Sequence, residues 1–240
     1  MDVKQALPEL ADIQLVIFDC DGVLIDSEGL SKRELLILLS NLGVDITDSY
    51  FETHFLGHSF EHVTAKIYQD FDVSLPATFR PEYQKALIAA FTAELQPTSG
   101  LTDMLDALAV PRCIATSSSP TRVGHAMSVT GLDRYFAPHI FTASQVENGK
   151  PAPDLFLHAA KNMGVDTRHC LVIEDSPAGV QAAKAANMQV IRFAGASHMG
   201  PWRRAVDPLS DDVTTISQWQ DLYSLAPALT NTMKSRGNRG

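Results

Sequence analysis

Six short runs of apolar and β-branched residues recur along the chain, at 13–18, 112–116, 139–142, 170–173, 189–193 and 213–216. Each is bounded by polar or turn-forming residues and has the length of a strand. Stretches with helical periodicity separate most of them, at 101–109, 122–130, 153–163 and 179–186. Strands alternating with helices imply a parallel sheet with helices on both faces, and near-continuous apolar strands fit burial from both sides. The segment after the first strand breaks this rhythm. It reads as helical throughout, over 28–42, 48–56, 60–71 and 81–93, with no strand-like run. The pattern therefore predicts an α/β fold: a doubly wound parallel-sheet core, residues 1–26 and 97–228, with an α-helical cap domain, residues 27–96, inserted after the first strand. Pro97-Thr98-Ser99-Gly100 marks the return to the core. The polar, Gly-containing stretch 229–240 is expected to be a disordered tail.

Composition changes this picture little. With 45% hydrophobic and 20% charged residues among 240, the chain has enough apolar material for a sizeable core. The net charge of −9 argues against nucleic acid or an anionic membrane as partner. It does not exclude a small anionic substrate, because a metal ion and a lysine can reverse the local field. No apolar run approaches the ~20 residues that span a bilayer, and residues 1–5 lack the features of a signal peptide. The three cysteines, Cys20, Cys113 and Cys170, lie in or beside predicted strands. They read as core hydrophobes in a reducing compartment, so a cytoplasmic location is expected.

Candidate chemistry collects at the ends of the predicted strands. Asp19 and Asp21 follow the apolar run Leu15-Val16-Ile17-Phe18. An acidic pair there lies where open α/β sheets bind ligands, and it can hold a hard cation while leaving a carboxylate to attack an electrophile. Thr116-Ser117-Ser118-Ser119 follows the second strand, Lys150 stands in Gly149-Lys150-Pro151-Ala152-Pro153-Asp154, and Glu174-Asp175-Ser176-Pro177-Ala178-Gly179 follows the fourth. Each piece alone has an ordinary explanation. Asp21-Gly22 is a common turn, Lys150 a loop lysine, and Ser176-Pro177 a helix start with Ser176 as N-cap and Pro177 at the first helical position. The ordered set of four is what points to a site. His54, His58 and His62 are spaced four apart, but Gly57 interrupts them and no acidic or thiol partner is evident. They read as structural or substrate-side residues, and His198 as a loop residue.

On the motifs Asp-x-Asp-Gly-Val-Leu-x-Asp-Ser, Gly-Lys-Pro-x-Pro-Asp and Glu-Asp-Ser-x-x-Gly, the chain resembles the haloacid dehalogenase superfamily over about residues 13–225. It is most similar to the phosphoglucomutase-like branch of sugar-phosphate phosphatases with a helical cap. The resemblance implies a HAD-like, Rossmannoid core and a phosphatase that works through an aspartyl-phosphate, dividing a very slow hydrolysis into two easier steps. By that resemblance Asp19 is the nucleophile and Asp21 the acid and base on the leaving group and water. Mg²⁺ is held by Asp19, Asp175, Glu174 and the backbone carbonyl of Asp21. Lys150 pairs with the nucleophile and a phosphate oxygen, and Ser117 donates to the phosphate, with Thr116 competing for that role. Gly22 permits the turn that directs Asp21, and Ser118 contributes to phosphate binding.

The cap is expected to close over the site and read the leaving group through 28–33, including Glu28 and Ser31, and through the loop with Gly57 and His58. β-Phosphoglucomutases carry a histidine and an arginine in the cap where this chain has Ser31 and Phe60. Water is therefore the expected phosphoryl acceptor, and a small sugar, sugar-acid or polyol phosphate the expected substrate. A phosphomutase is the alternative. A non-catalytic phosphoacceptor is disfavoured by the inserted cap and the Asp-x-Asp spacing. Asp21 and Glu174-Asp175 disfavour dehalogenase chemistry, and Asp21 disfavours phosphonatase chemistry. A monomer is the expected state.

Overall fold

A computed structural model describes residues 10–55, 60–197 and 213–230. Strand β1 (Leu15–Phe18) is buried at every position. It runs parallel between β2 (Arg112–Thr116) and β4 (Cys170–Glu174). With β3 (Ile140–Thr142), β5 (Gln189–Phe193) and β6 (Thr215–Ile216) these form one sheet in the order β3-β2-β1-β4-β5-β6, parallel throughout. All six predicted strands form, with ends within about two residues of expectation. The fold class read from the sequence is the fold observed.

The chain divides into two compact units, Ser27–Leu95 and the residues on either side of it. The helical unit contains α1 (Glu28–Ser40), α2 (Asp48–His54), α3 (Phe60–Phe71) and α4 (Phe79–Glu94). It has its own core: Leu35, Leu39, Val44, Phe51, Phe55, Val63, Ile67 and Phe79 are buried together. Helix α4 starts two residues before the expected Pro81, because a first-turn N–H has no intrahelical acceptor and proline costs nothing there.

In the α/β unit, α5 (Leu101–Ala107), α6 (Pro120–Thr130), α7 (Asp133–Phe136), α8 (Asp154–Met163), α9 (Pro177–Ala185) and α10 (Gln220–Leu225) accompany the sheet. One layer packs Leu15, Ile17, Cys113 and Val172 against Leu155, Phe156, Ala182 and Ala183. On the other side Phe18 lies edge-on to Phe136 and tilted against Trp219, and Trp219 stacks on Phe193 at 4.2 Å. Helix α5 ends two residues earlier than its periodicity suggests, since Ala109 donates its N–H to the Leu229 carbonyl and Leu108 bridges to Thr230. Leu229 and Thr230 are buried, so the expected tail does not begin at 229. Residues 231–240 lie outside the described residues, as does His198.

Candidate active site

The strand order decides where the chemistry meets. From β1 the chain proceeds outward to β2 and β3, then crosses to the opposite side of β1 for β4. The carboxyl ends of β1 and β4 therefore flank the point where the order reverses, the usual ligand position in such sheets. Phe18 is in register with Ile173, and Asp19 donates its N–H to the Ile173 carbonyl at 2.9 Å. Asp19 and Glu174 consequently leave the same edge of the sheet. The turn after β1 is closed by the Cys20 carbonyl, which accepts from Leu24 and Ile25. Gly22 takes φ +75° inside it, a conformation that glycine adopts without a Cβ penalty.

Lys150 joins the two carboxylates. Its Nζ donates to Asp19 Oδ1 at 2.5 Å, to Glu174 Oε1 at 2.7 Å and to the Ala115 carbonyl at 3.0 Å, which engages all three of its N–H groups. The ammonium also lies over the Phe156 ring, 4.8 Å from its centroid. Burial opposes the charge on Lys150, but Asp19 and Glu174 together outweigh it and hold the group above its ordinary pKa. Burial pushes the Asp19 carboxyl well above the usual carboxylate range; Lys150 counters this, while Glu174 and Asp175 add to it. Two carboxylates thus share one lysine, and Asp175 adds further negative charge near Asp19. Carboxylate oxygens are the hard donors that suit a divalent cation such as Mg²⁺, and the chemistry of Asp19, Glu174 and Asp175 fits one in that respect.

Asp21 has different partners. Ser118 Oγ donates to its Oδ2 at 2.6 Å and Arg122 to its Oδ1 at 2.7 Å. Two carboxylates separated by one residue are therefore held by different groups: Asp19 by a buried lysine, Asp21 by a hydroxyl and a guanidinium from the β2–α6 region. Cys20 between them is buried, and burial first, then the flanking aspartates, raise its thiol well above its ordinary pKa.

The other expected residues are distributed between the two units. Ser117 is the first residue beyond β2 and is exposed, whereas Thr116 is buried with its Oγ1 accepting from the Ser118 N–H at 3.1 Å. Glu28 and Ser31 lie in α1 of the helical unit; Ser31 is buried and its carbonyl accepts from Tyr83. Phe60 stacks on Tyr83 in that unit's aromatic cluster. Gly57 and His58 lie outside the described residues.

Residues 13–187 match the haloacid dehalogenase-like hydrolase family. The chain belongs to the haloacid dehalogenase-like hydrolases. It is 28% identical to the 6-phosphogluconate phosphatase of Escherichia coli (strain K12) over 215 residues, 89% of this chain and 96% of that one. With hexitol phosphatase A of the same organism the identity is 32% over 190 residues, 73% of this chain and 80% of the relative. A haloacid dehalogenase family hydrolase from Deinococcus radiodurans, crystallised with bound phosphate and sodium, superposes with a TM-score of 0.76 at 30% identity, covering 92% of this chain and 99% of that one. The protein is a phosphoric monoester hydrolase of this family, as expected from its motifs.

Arg122 and Arg192 of this haloacid dehalogenase-like hydrolase escape motif reading, and the motif glycine Gly179 gains a reason. Arg122, on Asp21, occupies the first turn of α6, where the positive end of the helix dipole disfavours a cation. A basic residue at that place in a sequence is the signal that could have found it. Gly179 has a steric role: a Cβ there would overlap the Glu174 carboxylate. The same Glu174 accepts from Ser176 N–H and Oγ at 2.8 and 2.9 Å, while Ser176 Oγ caps α9 by accepting from the Gly179 N–H. Arg192, buried in β5, donates Nε to the Asp175 carbonyl at 3.3 Å. Among the described residues no helix is long and apolar enough to cross a membrane.

Proposed function

We propose that the protein is a Mg²⁺-dependent phosphatase that hydrolyses a small sugar, sugar-acid or polyol phosphate through an aspartyl-phosphate on Asp19. The carrying observation is the different environment of two near-adjacent carboxylates. Lys150 grips Asp19 with Glu174, and Ser118 with Arg122 grips Asp21. A nucleophile needs positive charge beside it when it meets a phosphate dianion, and Lys150 supplies one. A proton carrier needs a hydrogen-bonded carboxyl outside that ion pair, and Asp21 has one.

Asp19, Glu174, Asp175 and the Asp21 carbonyl would hold the Mg²⁺, which when bound supplies charge neutralisation for the phosphoryl group. Asp19 attacks phosphorus while Asp21 protonates the departing alkoxide. Asp21 then takes a proton from the water that opens the acyl phosphate. Lys150 already has three acceptors, so it acts on the phosphate by its charge or by exchanging one of them. Ser117, exposed at the end of β2, is the proposed phosphate donor, with Thr116 as the competitor. Gly22 and Ser118 shape and hold the Asp21 turn, and Glu28, Ser31, Gly57 and His58 are the proposed readers of the leaving group. Support for the substrate class comes from relatives that act on 6-phosphogluconate and hexitol phosphates.

The deciding experiment is release of inorganic phosphate from a panel of sugar, sugar-acid and polyol phosphates, with and without Mg²⁺, for the wild type and Asp19→Asn. Metal-dependent release that disappears in the variant is expected. Equal release by the variant would refute the nucleophile assignment. Conversion of glucose 1-phosphate to glucose 6-phosphate without phosphate release would show a mutase instead.

A further inference from the structure

We infer that Arg122 is a positioning residue for the proton transfer carried by Asp21, and that it fixes which oxygen of Asp21 bears the mobile proton. The inference rests on the phosphatase reading above. A guanidinium donates hydrogen bonds and accepts none. Asp21 Oδ1 accepts from Arg122 at 2.7 Å, and a cationic donor on that oxygen lowers its basicity and favours its unprotonated form. Oδ2 meets the Ser118 hydroxyl at 2.6 Å, and a hydroxyl can donate to a carboxylate or, after rotation, accept from a carboxyl. Oδ2 is thus the preferred proton site, since its hydroxyl partner suits both protonation states while the cation on Oδ1 favours one.

Arg122 is itself anchored. The Ser119 side chain accepts from the Arg122 N–H at 3.3 Å and caps α6, and Pro120 sets the first helical φ. The Arg122 side chain is 28% exposed and that of Asp21 19%. The pair is therefore partly shielded, and its geometry is better defined than that of a surface ion pair. A cation in the first turn opposes the helix dipole, a local cost that a catalytic contact explains.

In the first half of the reaction, the Asp19 Oδ–P bond forms and the P–O bond to the leaving alcohol breaks. The Asp21 Oδ2 proton moves to the leaving oxygen, making a neutral alcohol and a carboxylate. In the second half, water adds to phosphorus, its proton returns to Oδ2, and the Asp19–phosphoryl bond breaks to give inorganic phosphate. Arg122 takes no proton in either half. It holds Oδ1, so that Oδ2 keeps one direction.

The test uses leaving groups. 4-Nitrophenolate departs without help from an acid, whereas benzyl alkoxide requires a proton. The ratio kcat/KM ends at the first irreversible step, so it reads the acid half alone. Misdirection of a general acid removes on the order of 10²-fold. Arg122→Ala and Arg122→Met are therefore expected to lower kcat/KM for benzyl phosphate by about 10²-fold, and for 4-nitrophenyl phosphate by under about 10-fold. Arg122→Lys should recover part of the loss. With 4-nitrophenyl phosphate both neutral variants should also show a burst of nitrophenolate, since the base half remains impaired. A purely structural role would change both substrates alike and produce no burst. Equal losses for the two substrates, no loss, or a faster benzyl phosphate reaction would each overturn the inference; the last would mean that Arg122 restrains Asp21 in the resting enzyme. Two controls separate the inference from the reading beneath it. If Asp19→Asn retains activity on both esters, the phosphatase mechanism fails. If Asp19→Asn is inactive and Asp21→Asn shows the leaving-group pattern but the Arg122 variants do not, only the role of Arg122 fails.

Discussion

Replacing Gly179 by alanine tests the architecture of the site with a single methyl group. Gly179 lies in the first turn of α9, and by helix propensity alone alanine there would stabilise the protein by up to about 1 kcal/mol. The structure predicts the opposite sign. The new Cβ would overlap Glu174 Oε1 and Cδ and lie 2.5 Å from Oε2, far inside contact distance. Glu174 cannot yield cheaply, because its side chain is buried and held by Lys150 at 2.7 Å and by Ser176 at 2.8 and 2.9 Å. Overpacking costs about 1–3 kcal/mol, and displacing the carboxylate forfeits charge-assisted hydrogen bonds of about 1.5–3 kcal/mol each. After subtraction of the propensity gain, Gly179→Ala should lose about 3 kcal/mol. At about 2–4 °C per kcal/mol for a chain of this size, Tm should fall by about 6–12 °C. Turnover should fall as well, since Glu174 and Lys150 move together. Gly124→Ala is the internal control: Gly124 is a helical glycine in α6, a Cβ added to it would meet nothing within 4 Å, and the variant should gain about 0.5–1 kcal/mol. Thermal and urea unfolding of the purified variants checks both. If Gly179→Ala matched or exceeded the stability of Gly124→Ala, the claim that Glu174 packs on the α9 backbone would be wrong.

Lys150→Met should reduce turnover by at least about 10³-fold and destabilise by about 3–5 kcal/mol, because it leaves buried Asp19 and Glu174 without their shared cation; kinetics and urea melts check this, and near-normal turnover would contradict it. Thr98→Val should cost about 2–4 kcal/mol in urea unfolding, since the buried Thr98 hydroxyl accepts from Trp219 Nε1 at 3.0 Å and donates to the Val23 carbonyl at 2.7 Å. Thr98→Ser keeps the hydroxyl and should lose only about 1 kcal/mol. Cys20, Cys113 and Cys170 are buried, and burial pushes the Cys170 thiol up to about 11; an aromatic disulfide reagent at about pH 8 should label none in the folded protein and all three after denaturation. Rapid labelling of the folded protein would show that a strand is open.

Much of the fold was legible because its signals are local. A buried strand such as β4 shows as an apolar run, here 170–173, and a helix such as α9 announces its start with Ser176 and Pro177. The short α7 and the C-terminal α10 went unread. Each is a single turn or two whose apolar residues, Phe136 in one and Leu222 and Leu225 in the other, carry too few repeats to establish a period. Trp219 could not be placed from sequence either, since its partners Thr98 and Phe18 are far away along the chain.

The sequence by itself determined which groups could do chemistry: two aspartates after an apolar strand, a lysine in a proline-flanked loop, and an acidic pair ahead of a capped helix. These depend on residue type and short spacing, which the covalent chain carries unaided. Only the tertiary structure decided how the groups divide. Asp19 and Asp21 are indistinguishable in their local spacing, yet one faces Lys150 across 131 positions of chain and the other faces Arg122 across 101. Strand order brings β4 beside β1 and the β2–α6 region to its other flank, so the two carboxylates meet different cations. Electrostatic partnership acts through space over a few ångströms, and only the folded chain sets which charges lie that close.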